Sequence, residues 1–223
     1  MTAHPRSTPA PASSLPPEPA AEPGVGWLAT LRAAAVLLAA ATVLCGLLYP
    51  LAVTGVAQLA LPEQANGSLV TAADGRVVGS ALVGQPFTAP GYFWGRPSAT
   101  SPLPYDAAAS AGSNLAASNP ALAARAAARV GELRAADPEA TGPVPADLVT
   151  TSASGLDPDI SPAGALFQVT RVAHARGLDP ARVKALVREH VEPPALGFLG
   201  DPRVNVLRLN LALDRLAGGP PAR

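Results

Sequence analysis

From Ala33 to Pro62 the chain runs for about 30 residues without a charged side chain, where a bilayer core asks for about 20 apolar residues in a helix. Arg32 and Glu63 close the stretch, and its polar groups, Thr42, Tyr49, Thr54 and Gln58, are ones that a helix or an interface can satisfy. The pattern predicts one transmembrane helix in the region 27–62. Gly46 and Pro50 interrupt it; Pro50 removes one helix hydrogen bond and crowds the carbonyl four residues earlier, which predicts a bend near Tyr49-Pro50. The run outlasts the apolar part of a cleaved secretory signal and ends in Leu61-Pro62-Glu63-Gln64 instead of a small-residue cleavage site, so the anchor is expected to be retained.

Beyond the anchor the periodicity shortens. Ser68 to Thr71 and Arg76 to Val83 are β-prone runs joined by Ala72-Ala73-Asp74-Gly75, and the Asp-Gly pair predicts a hairpin. Gly84 to Asn119 mixes Gly, Pro, Ser and Asn around Tyr92-Phe93-Trp94 and reads as a long ordered loop. Asn119-Pro120 supplies a cap and a first-turn proline for an Ala-rich helix to Ala136. Pro143 to Thr151 reads as a short extended piece and Ser152 to Pro162 as a polar loop. Helix signals return over Pro162 to Arg176, stopped by Gly177, and over Pro180 to Val191, capped by Asp179. Val204 to Leu213 begins with strand-like alternation and closes as a helix near Leu211 to Leu216. The expected fold class is α+β: one N-terminal transmembrane helix followed by a single mixed α/β soluble domain over 63–217.

Composition fixes the ends and excludes some partners. Residues 1–26 are rich in Pro, Ala, Ser and Glu, a mixture that cannot bury enough apolar surface to offset its ordering entropy, and are expected to be disordered. Residues 218–223 are expected to form a flexible C-terminus. Sixteen basic and sixteen acidic side chains cancel, so the electrostatic attraction behind nucleic-acid binding is missing. The one cysteine, Cys45, lies in the apolar run, which leaves the domain without a disulfide or thiolate cluster. Arg32 before the anchor, against Glu63 and Asp74 ahead of Arg76 after it, favours a cytoplasmic N-terminus and an extracytoplasmic domain.

Catalytic patterns are sparse. Lys184, the one lysine, sits in a predicted helix and not in a phosphate loop. His174 and His190 fall on different predicted helices, and Asp157 and Asp159 are few carboxylates for a calcium ion that takes six to eight oxygens, so no metal site is assigned. The sharpest enzymatic alternative is an anchored extracytoplasmic hydrolase of Ser-Lys type, with Lys184 as base to Ser98, Ser110, Ser113, Ser152 or Ser154.

The glycine-punctuated phrases are more specific. Gln64-Ala65-Asn66-Gly67-Ser68-Leu69, Gly79-Ser80-Ala81-Leu82-Val83-Gly84-Gln85, Gly95-Arg96-Pro97-Ser98, Gly112-Ser113-Asn114-Leu115, Ser154-Gly155-Leu156-Asp157-Pro158 and Val204-Asn205-Val206-Leu207 occur in this order behind one anchor. Together they resemble the C subunit of Kdp-type potassium-transporting P-type ATPases, from about Leu44 to Leu213. The chain departs from that family's pattern at Asp159 and Trp94, where histidines are frequent.

The resemblance implies an accessory, non-catalytic subunit of a high-affinity, ATP-driven potassium uptake complex in the inner membrane. Its partners would be a channel-like potassium-binding subunit, a P-type catalytic subunit and a small membrane subunit, together with membrane lipid. It implies no covalently bound cofactor; ATP would be met through the complex, whose catalytic subunit the family is described as sensitising to ATP. Within this sequence the link to nucleotide falls on Gly84 and Gln85, since a glycine permits close backbone approach and a glutamine both donates and accepts; turning the chain and satisfying loop backbone are the alternative roles. Arg96, Ser113, Asn114 and Asp157 are candidates for contacting a partner or ordering a loop, and Gly112 to Asn114 for an anion nest.

Overall fold

A computed structural model describes residues 26–72 and 74–218. The expected disordered tail and flexible C-terminus lie outside the described residues except at Gly26 and Gly218. The chain divides into two compact units, Met1–Val56 and Ala57–Arg223.

The first unit is dominated by helix. Helix α1 (Trp27–Val43), a π-helical turn (Leu44–Leu48) and helix α2 (Tyr49–Ala60) run in succession. The 34 residues from Trp27 to Ala60 would extend about 50 Å at 1.5 Å per residue, long and apolar enough to cross a bilayer. None of the apolar stretch is buried within the chain. Pro50 has no N–H to offer Gly46, and the ladder widens just before it: the Tyr49 N–H reaches Leu44 O, five residues back. The disturbance expected at Tyr49-Pro50 thus takes the form of a π turn.

The second unit starts with helix α3 (Pro62–Ala65) and the hairpin of β1 (Leu69–Thr71) with β2 (Val77–Ser80), antiparallel with Leu69 opposite Ser80 and Val70 opposite Gly79. Asp74 accepts the Arg76 N–H at 3.0 Å and Gly75 turns the chain at φ +82°, as the Asp-Gly pair predicts. From Ala81 to Asn119 the chain is irregular apart from a 3₁₀ turn at Ala107–Ala109. Helix α4 (Pro120–Ala136) begins where the sequence places it, with Asn119 accepting the Ala121 N–H at 2.9 Å.

Five expectations need correction after α4. The extended piece at Pro143 to Thr151 contains a 3₁₀ turn at Ala146–Leu148, which carries fully buried Leu148 into the core. The polar loop to Pro162 includes strand β3 (Asp159–Ile160), paired with β5 (Arg203–Asn205). The helix from Pro162 is two helices, α5 (Pro162–Phe167) and α6 (Val169–Arg176), broken at Gln168. Helix α7 (Pro180–Glu189), capped by Asp179, hands over at Val191 to strand β4 (Val191–Glu192), so the sheet order is β3-β5-β4 and all pairs are antiparallel. Lastly α8 (Val206–Ala217) starts five residues before the expected Leu211, because Asn205 accepts the Arg208 N–H and caps it.

Helix α8 is the organising element of the core. Val206, Leu207, Leu209, Asn210, Leu211, Leu213 and Asp214 are all buried, and Leu209 and Leu213 join Phe93, Leu133, Leu148, Val172, Val183 and Val204 in one cluster. At about 1.5–3 kcal/mol for each large apolar side chain, this burial is what balances the entropy of ordering so much irregular chain. The long loop is tied to that core by two amide clasps. Asn210 accepts the Phe93 N–H at 2.8 Å and donates to Phe93 O at 3.0 Å. Gln168, between α5 and α6, does the same to Trp94, at 2.8 and 3.0 Å; its amide also donates to Gly164 O, while its backbone N–H bonds to Ala165 O, three residues back.

Candidate functional site

The loop held by these clasps forms one wall of a cleft of about 590 Å³. Gln85, Arg96, Tyr105 and Ser113 come to it from the loop, Arg125 and Arg129 from α4, and Thr150 and Thr151 from the segment after Leu148. The structure therefore brings together three of the residues singled out from sequence, Gln85, Arg96 and Ser113. Asn114 is exposed beside them at φ +50° and does not line the cleft.

Gly84 is buried beneath the loop and donates its N–H to Leu156 O at 2.8 Å. A β-carbon there would lie 2.3 Å from the Tyr105 ring and 2.8 Å from Asp157 O, so the close approach admits only glycine. Gln85 donates its amide to Val78 O at 2.7 Å and lies where a side chain on Gly79 would stand, which ties the loop to β2. Both residues have a structural employment where they are found.

Arg96 is anchored at three points: Asp157 Oδ2 at 3.0 Å and the carbonyls of Thr150 and Thr151. Asp157 also accepts the Asp159 N–H, and the Tyr105 hydroxyl donates to Arg96 O. Tyr105 is pushed up to about 12, chiefly by burial, with Asp157 adding to the rise and Arg129 and Arg96 opposing it. The phenol therefore stays protonated and keeps donating. Arg129 is matched to Glu132 at 2.8 Å and Arg125 is exposed. The cleft is rimmed by three guanidinium groups, two of them already matched by carboxylates.

The two departures from the resembled pattern have clear surroundings. Asp159 on β3 accepts from Asn205 Nδ2 at 3.0 Å and pairs with Arg203 at 3.2 Å, while burial raises its carboxyl above the usual range against those contacts. Trp94 donates its indole N–H to Ala89 O and lies against the Arg171 guanidinium, 4.1 Å from the ring centroid, with Arg129 at 5.4 Å. Burial lowers Arg171 to about 10. Sequence reasoning passed over Tyr105, Arg125, Arg129 and Arg171; the four-residue spacing of Arg125 and Arg129 on one helix face was the available signal.

The hydrolase alternative finds no support. Lys184 is exposed on α7. The hydroxyls of Ser98 and Ser110 donate to Gly155 O and Ser154 O, and those of Ser152 and Ser154 accept from Gly155 and Leu156 N–H groups. His174 is exposed on α6, and His190 closes α7 with Nδ1 at 2.8 Å from Leu186 O. The hydroxyls of these four serines tie down the loops that carry them.

Comparison with known proteins points to one family. Residues 31–215 match the family model described as KdpC: K+-transporting ATPase, c chain. A potassium-transporting ATPase KdpC subunit from Sorangium cellulosum (strain So ce56) is 65% identical over 187 residues, covering 84% of this chain and 98% of the relative. That of Polaromonas naphthalenivorans (strain CJ2) is 59% identical, covering 83% and 94%. That of Ralstonia nicotianae (strain ATCC BAA-1114 / GMI1000) is 55% identical over 205 residues, covering 92% and 99%.

Proposed function

The chain belongs to the KdpC family, the c chain of K+-transporting ATPases, and from this premise we propose that it is the accessory subunit that holds such a complex in its working assembly. The observation that carries the reading is that the central polar groups of the cleft serve the chain itself: Gln85 bonds to Val78, Arg96 to Asp157 and Tyr105 to Arg96. A protein built in this way acts through its surface. In this reading the helix Trp27–Ala60 anchors it in the inner membrane with the N-terminus in the cytoplasm and the folded unit outside, against the potassium-binding subunit. Two experiments test this. Expressing the other subunits without this chain should leave a complex that fails to co-purify and cells that lose potassium uptake; intact assembly and uptake would refute it. A periplasm-dependent reporter fused after Arg223 should be active, and a cytoplasm-dependent one silent.

A second reading concerns nucleotide. The meeting of Gln85, Arg96 and Ser113 with Arg125 and Arg129 in one cleft favours an anionic ligand there, and through it an effect on the catalytic subunit's affinity for ATP. Equal ATP affinity of the complex with wild-type chain and with Arg125→Ala would remove this reading without touching the first.

A further inference from the structure

A buried carboxylate at the end of α4 lacks a hydrogen-bond partner. Asp137 follows Ala136, the last residue of the helix, and is only 6% exposed, yet its Oδ2 meets no donor and its carboxylate makes no ion pair among the described residues. Buried carboxylates are ordinarily paired, because leaving water without a partner is strongly unfavourable. The cations around it are committed elsewhere. Arg171 donates to Pro90 O and, at 2.6 Å, to Gln168 Oε1, and lies over the Trp94 ring. Burial lowers Arg171 and the charge of Asp137 opposes that through space, without an ion pair. Arg134, in the last turn of α4, donates to Gly142 O.

Asp137 lines a second cleft, of about 320 Å³, between the end of α4 and helix α6. Pro90, Pro138 and Ala175 give it apolar walls, and Glu139 and Thr170 stand exposed in its lining. Counting His174 as neutral, the lining carries one negative charge in excess, Asp137 and Glu139 against Arg171. The carbonyl end of α4 adds the negative pole of the helix dipole. The terminal torsion of an aspartate is soft, so either carboxylate oxygen can turn to a donor in the cleft. Two carboxylates are few for a hard metal ion that takes six to eight oxygens. The complement is a single positive charge that brings its own N–H donors, on an alkyl stem that can lie along the prolines.

We propose that this cleft is a binding site for a guanidinium or primary alkylammonium group, held by Asp137 with Glu139 and the carbonyl end of α4. Ethylguanidinium chloride, titrated into the full-length chain in neutral detergent at constant ionic strength and followed by ligand-observed NMR, should bind saturably. Its Kd should rise about tenfold or more in Asp137→Asn and stay unchanged in Asp201→Asn, an exposed carboxylate outside the cleft. Potassium chloride at equal concentration should not displace it, because the ion carries no N–H. Absence of saturation in the wild-type chain, an equal Kd in Asp137→Asn, or equal displacement by potassium would overturn the proposal. If circular dichroism shows that Asp137→Asn does not fold, Glu139→Gln takes its place: Kd should rise about twofold or more, and an unchanged Kd would overturn the proposal. In the purified complex the source of the group can be told. A probe that still saturates identifies a free organic cation; a probe excluded, with about tenfold weaker capture of the other subunits by Asp137→Asn, identifies a basic side chain of one of them. Exclusion without that loss would overturn the proposal. Failure of the chain to join any complex would defeat the accessory-subunit reading alone, and the titration of the chain by itself would still decide.

Discussion

Replacing Asn210 by alanine should be among the most damaging single changes in the folded unit. The side chain is wholly buried and holds both polar groups of the Phe93 peptide, at 2.8 and 3.0 Å. Truncation leaves a backbone N–H and a carbonyl without partners in the core, at about 1–3 kcal/mol each, and opens a void besides. A loss of about 2–6 kcal/mol follows, a large part of the roughly 5–15 kcal/mol that keeps a domain folded. Asn210→Leu refills the void without restoring the bonds, and should recover little. Urea titration of the detergent-solubilised chain, read from Trp94 fluorescence in a Trp27→Phe background, measures both. A loss below about 1 kcal/mol for Asn210→Ala, or near-wild-type stability for Asn210→Leu, would show that packing and not the amide clasp holds the loop.

Other consequences can be measured in the same preparation. Gly84→Ala, whose β-carbon would lie 2.3 Å from the Tyr105 ring, should cost about 1–3 kcal/mol by overpacking and widen the cleft, seen as faster amide exchange at Leu156 and Asp157. Tyr105 is raised in the folded state from 10.0 to about 12, so its contribution is fully present below pH 10 and lost as pH rises through 12. Stability should fall by at most roughly 2–3 kcal/mol across that window, and Tyr105→Phe should flatten this part of the curve. Removing Arg96 by Arg96→Ala should destabilise by about 1–3 kcal/mol, and a cycle with Asp157→Asn should show positive coupling if the 3.0 Å pair is formed in solution.

Local punctuation made much of the fold legible. Asn119-Pro120 placed the start of α4, Asp74-Gly75 the hairpin, Asp179 the start of α7 and Gly177 the end of α6. The misses have a shared cause: residues whose local signal was overridden by what they serve at long range. Gln168, at the break between α5 and α6, holds Trp94, 74 positions away. Val204-Asn205-Val206-Leu207 alternates like a strand, yet Asn205 ends β5 and caps α8, whose buried face spans the core. The cleft was half visible. Glycine-rich phrases marked Gln85, Arg96 and Ser113, but only folding brings Arg125, Arg129 and Tyr105 to the same place. Asp157 announced itself as a loop residue and proves to be the anchor of Arg96.

In the proposed function this KdpC-family chain contributes contacts and no catalysis to potassium transport. The most direct measurement is potassium-stimulated ATP hydrolysis by the remaining subunits, purified separately, before and after adding this chain. The chain alone should hydrolyse no ATP, and its addition should restore potassium-stimulated turnover. Hydrolysis by the isolated chain, or equal turnover by the other subunits without it, would contradict the claim.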